Sequence, residues 1–360
     1  MGSTLSATAP VFQIDHLPDR FIQHQGQDYL FFSGTSYLGM AQNRAMQALL
    51  SDGVQRYGLH FGSSRNGNLQ LAVFEAAEAK LAELAGAPAA LTVSSGMLAG
   101  QVVVNWLASV VSSQSVGYQA PGTHPALWQP LLNAQADWLP MQQEGVSPAY
   151  ILTNSVDAIR SVTDSFDWLS KLPTNQTIYV VIDDSHGLGI LNNGQGIWPQ
   201  LTQRLADHQN VRLIVTASLA KAMGLPGGVI FSDPATLAAL RRTAYFGACS
   251  PMPPAYAYAY LNADTLYAEA RERLTQNVSL AEQLLGSTGL FKQAKGYPVF
   301  YTEHDDIAPK LLNNGIFVYS FAYPTAADKT NTRIVISAFH ESEDVEMLAA
   351  LLLSPVVPAS

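Results

Sequence analysis

Cysteine is almost missing from this chain: Cys249 is the sole one in 360 residues. A single thiol closes no internal disulfide and builds no Cys-rich zinc site, so a reducing compartment, the cytoplasm, is the expected location. Charge is scarce as well, at 13% of residues, with 19 Lys and Arg against 28 Asp and Glu and a formal net charge of −9. No basic cluster stands anywhere along the sequence, which excludes the electrostatic footprint that nucleic acid or an anionic membrane surface requires. Also lacking is an uninterrupted apolar stretch long enough to cross a bilayer, and the opening MGSTLSATAP has neither the charged start nor the apolar run of a secretory leader. At the glycine-rich HGLGILNNGQG no GxGxxG opens a helix with an acidic residue about 20 positions on, so a dinucleotide site is rejected in favour of a turn-rich loop. No metal site is expected. The partner left by these exclusions is a small molecule.

What the chain does have is apolar content, 48% of its residues. That composition belongs to a globular protein, and the length calls for one large domain and a smaller one. Low charge density implies much buried surface, which points to association between subunits. Residues 28 to 33 read as a short strand. Segments 42 to 56 and 69 to 85 carry apolar residues at helical spacing, the second with Glu75, Glu78 and Lys80 on a wet face. From about residue 88 short apolar runs (AALTVSS, AYILTNS, TIYVVIDD, VRLIVTAS, GGVIFSD) alternate with helical stretches, the rhythm of an α/β domain whose mainly parallel sheet is buried on both faces. One long helical stretch, from PPAYAYAYLN to AEQLL, bridges to an α+β portion with strands at PVFYTE, IFVYSFAY and TRIVISAF and a closing helix DVEMLAALLL. The expected division is an N-terminal arm and part of the small domain over 1–55, a large domain over 56–255, and the rest of the small domain over 256–360.

In open α/β sheets ligands sit beyond the carboxyl ends of the strands, so the polar residues that follow each apolar run matter most. TIYVVID ends in Asp183, followed by Asp184, Ser185 and His186; VRLIVTAS leads to Lys221; AALTVSS leads to Gly96 at a helix start. Lys221 is one of seven lysines and alone lies in a small, apolar setting, SLAKAMGLPGG. An ammonium there either pairs with a buried carboxylate or has its pKa lowered to serve as a nucleophile, and on local context both readings stand. Asp183 taken alone reads equally as an N-cap, as a metal ligand with Asp184, or as the anion against a cofactor's ring nitrogen. Ser94, Ser95 and Gly96 place hydroxyls and backbone amides at a helix N-terminus, which suits a phosphate dianion.

Taken in order, these segments resemble the α-oxoamine synthase family of fold-type I enzymes that use pyridoxal 5′-phosphate (PLP). SYLGM (36–40) is similar to the family's DYLGL, YGLHFGSSR (57–65) to YGxGxxGSR, FEAAEAKLAELAG to HxxLExxLAxFxG, and SSGMLAG (94–100) to SSGYAAN. DDSHGLGILNNGQG (183–196) is similar to DEAHSxGxxGxxGxG, ASLAKAMGLPGG to GTLSKALGxxGG, SPMPP (250–254) to STxLPP, and RIVISAFH (333–340) to RIxLxAxH. The resemblance implies an aspartate-aminotransferase-like α/β fold with a mainly parallel seven-stranded large domain, a smaller α+β domain, and a homodimer whose active site is shared between subunits. By the same resemblance Lys221 forms the Schiff base with PLP, Asp183 binds the pyridine nitrogen, His186 contacts the ring hydroxyl and His124 stacks on the ring. Phosphate contacts fall to Ser95, Gly96, Met97, Ser218 and the neighbouring subunit's Ser250. Arg333 grips a substrate carboxylate, a task suited to a guanidinium fork, with Thr35, Tyr37 and Arg65 alongside.

The departures from the pattern bear on substrate more than on cofactor. Thr35 stands for the family's Asn, Phe74 for a His, Ala120 for an Asp, Met97 for an aromatic, Ala220 for a hydroxyl residue and Pro251 for a polar one. The last two remove two expected phosphate hydrogen bonds, each worth about 1.5–3 kcal/mol. The family's HND segment has no counterpart near WLPMQQEG (138–145). The implied reaction condenses a small amino acid with an acyl thioester, carried on coenzyme A or a carrier protein, with loss of carbon dioxide. Two alternatives stay open at this point: a PLP reaction without acyl thioester, such as transamination, and a degenerate PLP-binding protein.

Overall fold

The computed structural model describes residues 11–132, 134–135, 148–322 and 330–353. WLPMQQEG therefore lies outside the described residues. The chain forms two compact units: the smaller takes in the residues up to Gln42, Ala158–Val162 and those from Glu269 on, the larger Asn43–Asp157 and Thr163–Ala268. This division falls at 42 and 268, where the sequence reading placed it at 55 and 255. Packing explains the shift. Helices Arg44–Tyr57 and Pro254–Leu261 lie so close that a Cβ at Gly53 would stand 2.6 Å from the Ala255 carbonyl oxygen, which ties both helices to the larger unit.

A seven-stranded sheet runs through the larger unit in the order Ala89–Val93, Gly228–Ser232, Val211–Ser218, Ile178–Asp183, Tyr150–Asn154, Gly117–Gln119, Ala134–Gln135. Only Gly228–Ser232 runs against its neighbours. The central strand Ile178–Asp183 is parallel to both of the strands beside it, and its last residue, Asp183, is level with Asn154 on one side and Thr216 on the other. Continuous apolar runs form these strands because both faces are covered. On one face helix Gly96–Val110 buries Val102, Val103, Val104 and Leu107 against Leu91, Val181, Ile214 and Ile230. All the parallel strands therefore deliver their carboxyl ends to one edge of the sheet, the place that such sheets offer to a ligand.

In the smaller unit a hairpin joins Phe21–His24 to Gln27–Phe31 through Gln25 and Gly26, both at positive φ (53° and 80°), the two-residue turn whose twist matches the strands. Strands Val299–Thr302, Thr330–Val335 and Tyr319–Ala322 make a second sheet, and helix Ser342–Leu353 carries Asp344 in its first turn, bonded by Arg20 at 2.7 and 2.8 Å. Among the described residues no helix is long and apolar enough to cross a membrane.

Two local expectations are corrected. The long helical stretch is two helices, Pro254–Leu261 and Asp264–Leu285, broken at Asn262 and Ala263. Glu78 is not on a wet face; it is 4% exposed on helix Ala72–Ala85 and holds a buried ion pair with Arg65.

Candidate active site

The sheet's carboxyl edge gathers most of the residues singled out in the sequence. Asp183 closes its strand with 6% of its surface exposed, and Oδ1 accepts the Ser185 N–H at 2.8 Å, so the carboxylate is held by its own turn. Its other oxygen lies 3.6 Å from Nδ1 of His124. That imidazole ring sits on the loop after Gly117–Gln119. Burial lowers the His124 pKa, Asp183 raises it and the ammonium of Lys221 lowers it, so one ring feels both the carboxylate and the amine. Lys221 itself stands half-buried on a turn whose neighbours Leu219, Ala222, Met223 and Leu225 are all at most 2% exposed. Backbone bonds from Leu219 to Gly227, from Leu225 to Leu219 and from Gly224 to Lys221 close that turn, and the Tyr267 hydroxyl donates to the Met223 carbonyl at 2.7 Å.

A second cluster adjoins the first through the backbone. Ser185 Oγ accepts the Ser218 N–H at 2.8 Å, linking the turn after Asp183 to the end of Val211–Ser218. Ser218 in turn meets the start of helix Gly96–Val110: a Cβ on Gly96 would lie 2.5 Å from Ser218 Cβ, and one on Gly228 would lie 2.2 Å from the Ser95 carbonyl oxygen. Only glycine permits that approach. Ser95 is the N-cap, its Oγ accepting the Leu98 N–H at 3.1 Å. The N–H groups of the first turn, which have no intrahelical partner, therefore stand beside the Ser218 hydroxyl, the donor set that a phosphate dianion takes. Met97 is exposed at this turn, Ser250 is exposed elsewhere on the same unit, and His186 is half-buried on the loop that follows Asp183.

Thr35, Tyr37 and Arg333 belong to the smaller unit. There Arg333 lies on strand Thr330–Val335, between Tyr301 and Tyr319 in register, and donates to the Ala158 carbonyl at 2.9 Å. Tyr37 is buried with its hydroxyl 3.3 Å from that of Tyr297; burial raises its pKa, while Tyr297 and the Arg333 charge lower it. Thr35 is half-buried. Arg65 is engaged within the larger unit. Its guanidinium is taken up by Glu78 and by Thr92 Oγ1 at 3.1 Å, over the Phe74 ring at 4.6 Å. Phe74, which departs from the family pattern, thus serves that buried pair.

Sequence reasoning passed over Asn154, Gly228 and Tyr267, and gave Ser185 no task. The same rule that drew attention to Asp183 applies to Asn154, the polar residue that ends AYILTN. Its Oδ1 accepts the His124 N–H at 3.0 Å and its Nδ2 donates to the Gly122 carbonyl at 2.8 Å. Tyr267 carries no local signal, being far along the chain from the turn it anchors.

Residues 142–352, more than half of the chain, match the aminotransferase class I and II family. The chain belongs to that family. A relative named 8-amino-7-oxononanoate synthase, from Petrotoga mobilis, is 26% identical over 353 residues, covering 91% of this chain and 88% of its own. Among solved structures, an 8-amino-7-oxononanoate synthase from Francisella tularensis superposes with a TM-score of 0.71 at 21% identity, over 90% of this chain and 96% of that one. A serine palmitoyltransferase from S. paucimobilis, solved with a bound PLP–myriocin aldimine, gives a TM-score of 0.78 at 16% identity, over 95% and 91% of the two chains. At such identities the structural likeness speaks to fold, and the fold is that of the fold-type I PLP-dependent transferases, as the motifs implied.

Proposed function

We propose that this chain is a PLP-dependent acyltransferase of the α-oxoamine synthase type, condensing a small amino acid with an acyl thioester. The observation that carries the reading is the amine of Lys221 and the carboxylate of Asp183 acting on one imidazole, His124, at the carboxyl edge of the sheet. PLP, when bound, supplies an electron sink for a carbanion on the amino acid. The residues present fit it: the Gly96, Ser218 and Gly228 contacts leave room for backbone only, beside an N-capped helix start.

Each residue then has a task. Lys221 holds the cofactor and moves the substrate's proton. Asp183 keeps a proton on the ring nitrogen, its own charge stabilised by the Ser185 N–H. His124 covers the ring and His186 reaches the ring hydroxyl. Ser95, Gly96, Met97 and Ser218 take the phosphate, with Ser250 contributed to a second subunit of a homodimer; its exposure supports that role. Arg333, with Thr35 and Tyr37, meets the substrate's carboxylate.

Borohydride reduction in the presence of PLP tests the cofactor, and a panel of amino acids with and without acyl-CoA tests the reaction. Labelling of Lys221 and release of free CoA that depends on both substrates are expected. Amino transfer to a keto acid without CoA release would overturn the acyl-transfer reading, and a Lys221→Arg protein that stays yellow and active would overturn the site.

A further inference from the structure

The loop that carries His124 is fastened at one point by a side chain from another strand. Asn154, the last residue of Tyr150–Asn154, is level with Asp183 across the parallel ladder. From there its Oδ1 receives the His124 N–H at 3.0 Å while its Nδ2 gives a hydrogen bond to the Gly122 carbonyl at 2.8 Å. One carboxamide thus closes both sides of the turn Gly122–His124. The turn needs such help: Gly122 is at φ 75°, the bonds from the Thr123 hydroxyl to the Ala120 carbonyl at 2.6 Å and from the Trp128 indole to the Thr123 carbonyl at 2.8 Å are local, and the one other side-chain link to strand Tyr150–Asn154 among the described residues is the longer contact of the Thr123 hydroxyl with the Leu152 carbonyl at 3.3 Å. Downstream, the Ala126 N–H donates to His124 Nδ1 at 3.2 Å, so the neutral ring carries its proton on Nε2. Neither of those local bonds refers the ring to Asp183. Asn154 bonds the His124 backbone directly to the strand beside that of Asp183.

We propose that Asn154 is the positioning residue for His124, and that the position demands an amide. A carboxylate of the same shape accepts the His124 N–H but turns an oxygen towards the Gly122 carbonyl oxygen, replacing an attraction with a repulsion. An alanine removes both bonds and lets the ring swing from Asp183. An amide also leaves the site's charge balance, Asp183 against Lys221, untouched. The inference rests on the PLP reading for its consequence, the ring-covering role of His124, and not for its geometry.

Two measurements separate the inference from that reading. In protein without PLP, NMR titration of the His124 imidazole reports its surroundings directly. Asp183 and Lys221 are the charges that face the ring, burial being the larger influence. Asn154→Ala should move the titration upward as the ring leaves its buried place, and Asn154→Asp, with a carboxylate added nearby, further upward. With PLP as the probe, Asn154→Ala and His124→Ala should each weaken binding about tenfold, and the double variant should be little weaker than either single one. Additive losses, or a His124 titration unmoved in both variants, would overturn the assignment. Should Asn154→Ala fail to fold, Asn154→Asp gives the same two readouts. Wild-type protein that takes up no PLP sinks the functional reading alone, because the titration without cofactor still decides what Asn154 does.

Discussion

Glu78 and Asp184 are both buried carboxylates of the larger unit, and the molecule treats them in opposite ways. Glu78, on helix Ala72–Ala85, is 4% exposed and has both oxygens fully engaged: Oε1 with Arg65, with the Thr92 N–H at 2.7 Å and with its hydroxyl at 2.9 Å, Oε2 with Arg65 at 3.2 Å and Arg241 at 2.8 Å. Asp184, one residue past Asp183, is 2% exposed and has one good bond, the Ile197 N–H to Oδ2 at 2.8 Å. Its Oδ1 accepts no well-formed hydrogen bond among the described residues. Burial pushes the Asp184 carboxyl up to about 7; the nearby Ser155 side chain and the Ile197 N–H oppose that push only in part, and the neighbouring charge of Asp183 reinforces it. The lesson is that burial alone does not set the character of a carboxylate. Glu78 is a charged rivet between helix, strand and the GSSR segment, whereas Asp184 lies close to neutrality inside the turn that Gly187 and Gly196 wrap around it.

Removing one partner breaks the two regions differently. Glu78→Ala leaves the buried Arg65 and the partly buried Arg241 without a counter-charge and should cost about 3–5 kcal/mol, read as a shift in urea-unfolding midpoint. A loss below about 1 kcal/mol would mean that water replaces the carboxylate with ease. For Asp184 the expected signature lies in the pH dependence. Its folded pKa of about 7 exceeds the unfolded value of 3.8, so the native state holds the extra proton, and stability falls as pH rises from about 4 to 7. Over that window the loss amounts to about 4 kcal/mol, which Asp184→Asn, neutral throughout, should abolish.

The smaller unit supplies the opposing slope. His340 is buried, with Nδ1 accepting the Ser337 N–H at 3.0 Å and Nε2 donating to the Phe31 carbonyl at 3.0 Å, and burial pulls its pKa down to about 4 from 6.5. Here the unfolded state binds the extra proton, so stability rises with pH from about 4 to 6.5, by about 3 kcal/mol. In the wild type the two slopes overlap and largely cancel over that range. Asp184→Asn should unmask a stability that climbs with pH, and His340→Gln one that falls. Matching flat profiles in both variants would show that neither group titrates as its surroundings dictate.

How much of this was legible beforehand follows from which residues act locally. Asp183, Ser95, Gly96 and Ser218 sit at the ends of apolar runs and Lys221 just beyond one, so the α/β rhythm of the sequence alone leads to the sheet's carboxyl edge. Strand Gly117–Gln119 was invisible because it is short and its middle residue, Tyr118, is flanked by Gly117 and Gln119; its place is set by Tyr150, whose ring occupies the space a Cβ on Gly117 would fill at 2.0 Å. Glu78 misled because helical spacing shows where a side chain points but not that Arg65 and Arg241 come from distant segments to meet it. Arg65 shows the same limit, since a motif position identifies a residue without identifying the partners, here Glu78 and Thr92, that the fold gives it.

The smallest expected effect concerns a neutral link beside those charges. Ser185 Oγ accepts the Ser218 N–H at 2.8 Å, and its own N–H serves Asp183 Oδ1 at the same distance. Ser185→Ala deletes the first bond and leaves the second, because the second is backbone. Stability should drop by about 1 kcal/mol, independent of pH, since no charge is uncovered. On the proposed reading PLP affinity should fall by a larger factor than that figure implies for folding, because the freed Ser218 lies against Gly96 and a shift there moves the groups proposed to hold the phosphate. A fluorescence titration with PLP beside the urea curve measures both. Equal losses in the two would reduce Ser185 to a fastening of the fold, while a loss confined to PLP binding would show that the turn after Asp183 aligns the two halves of the site.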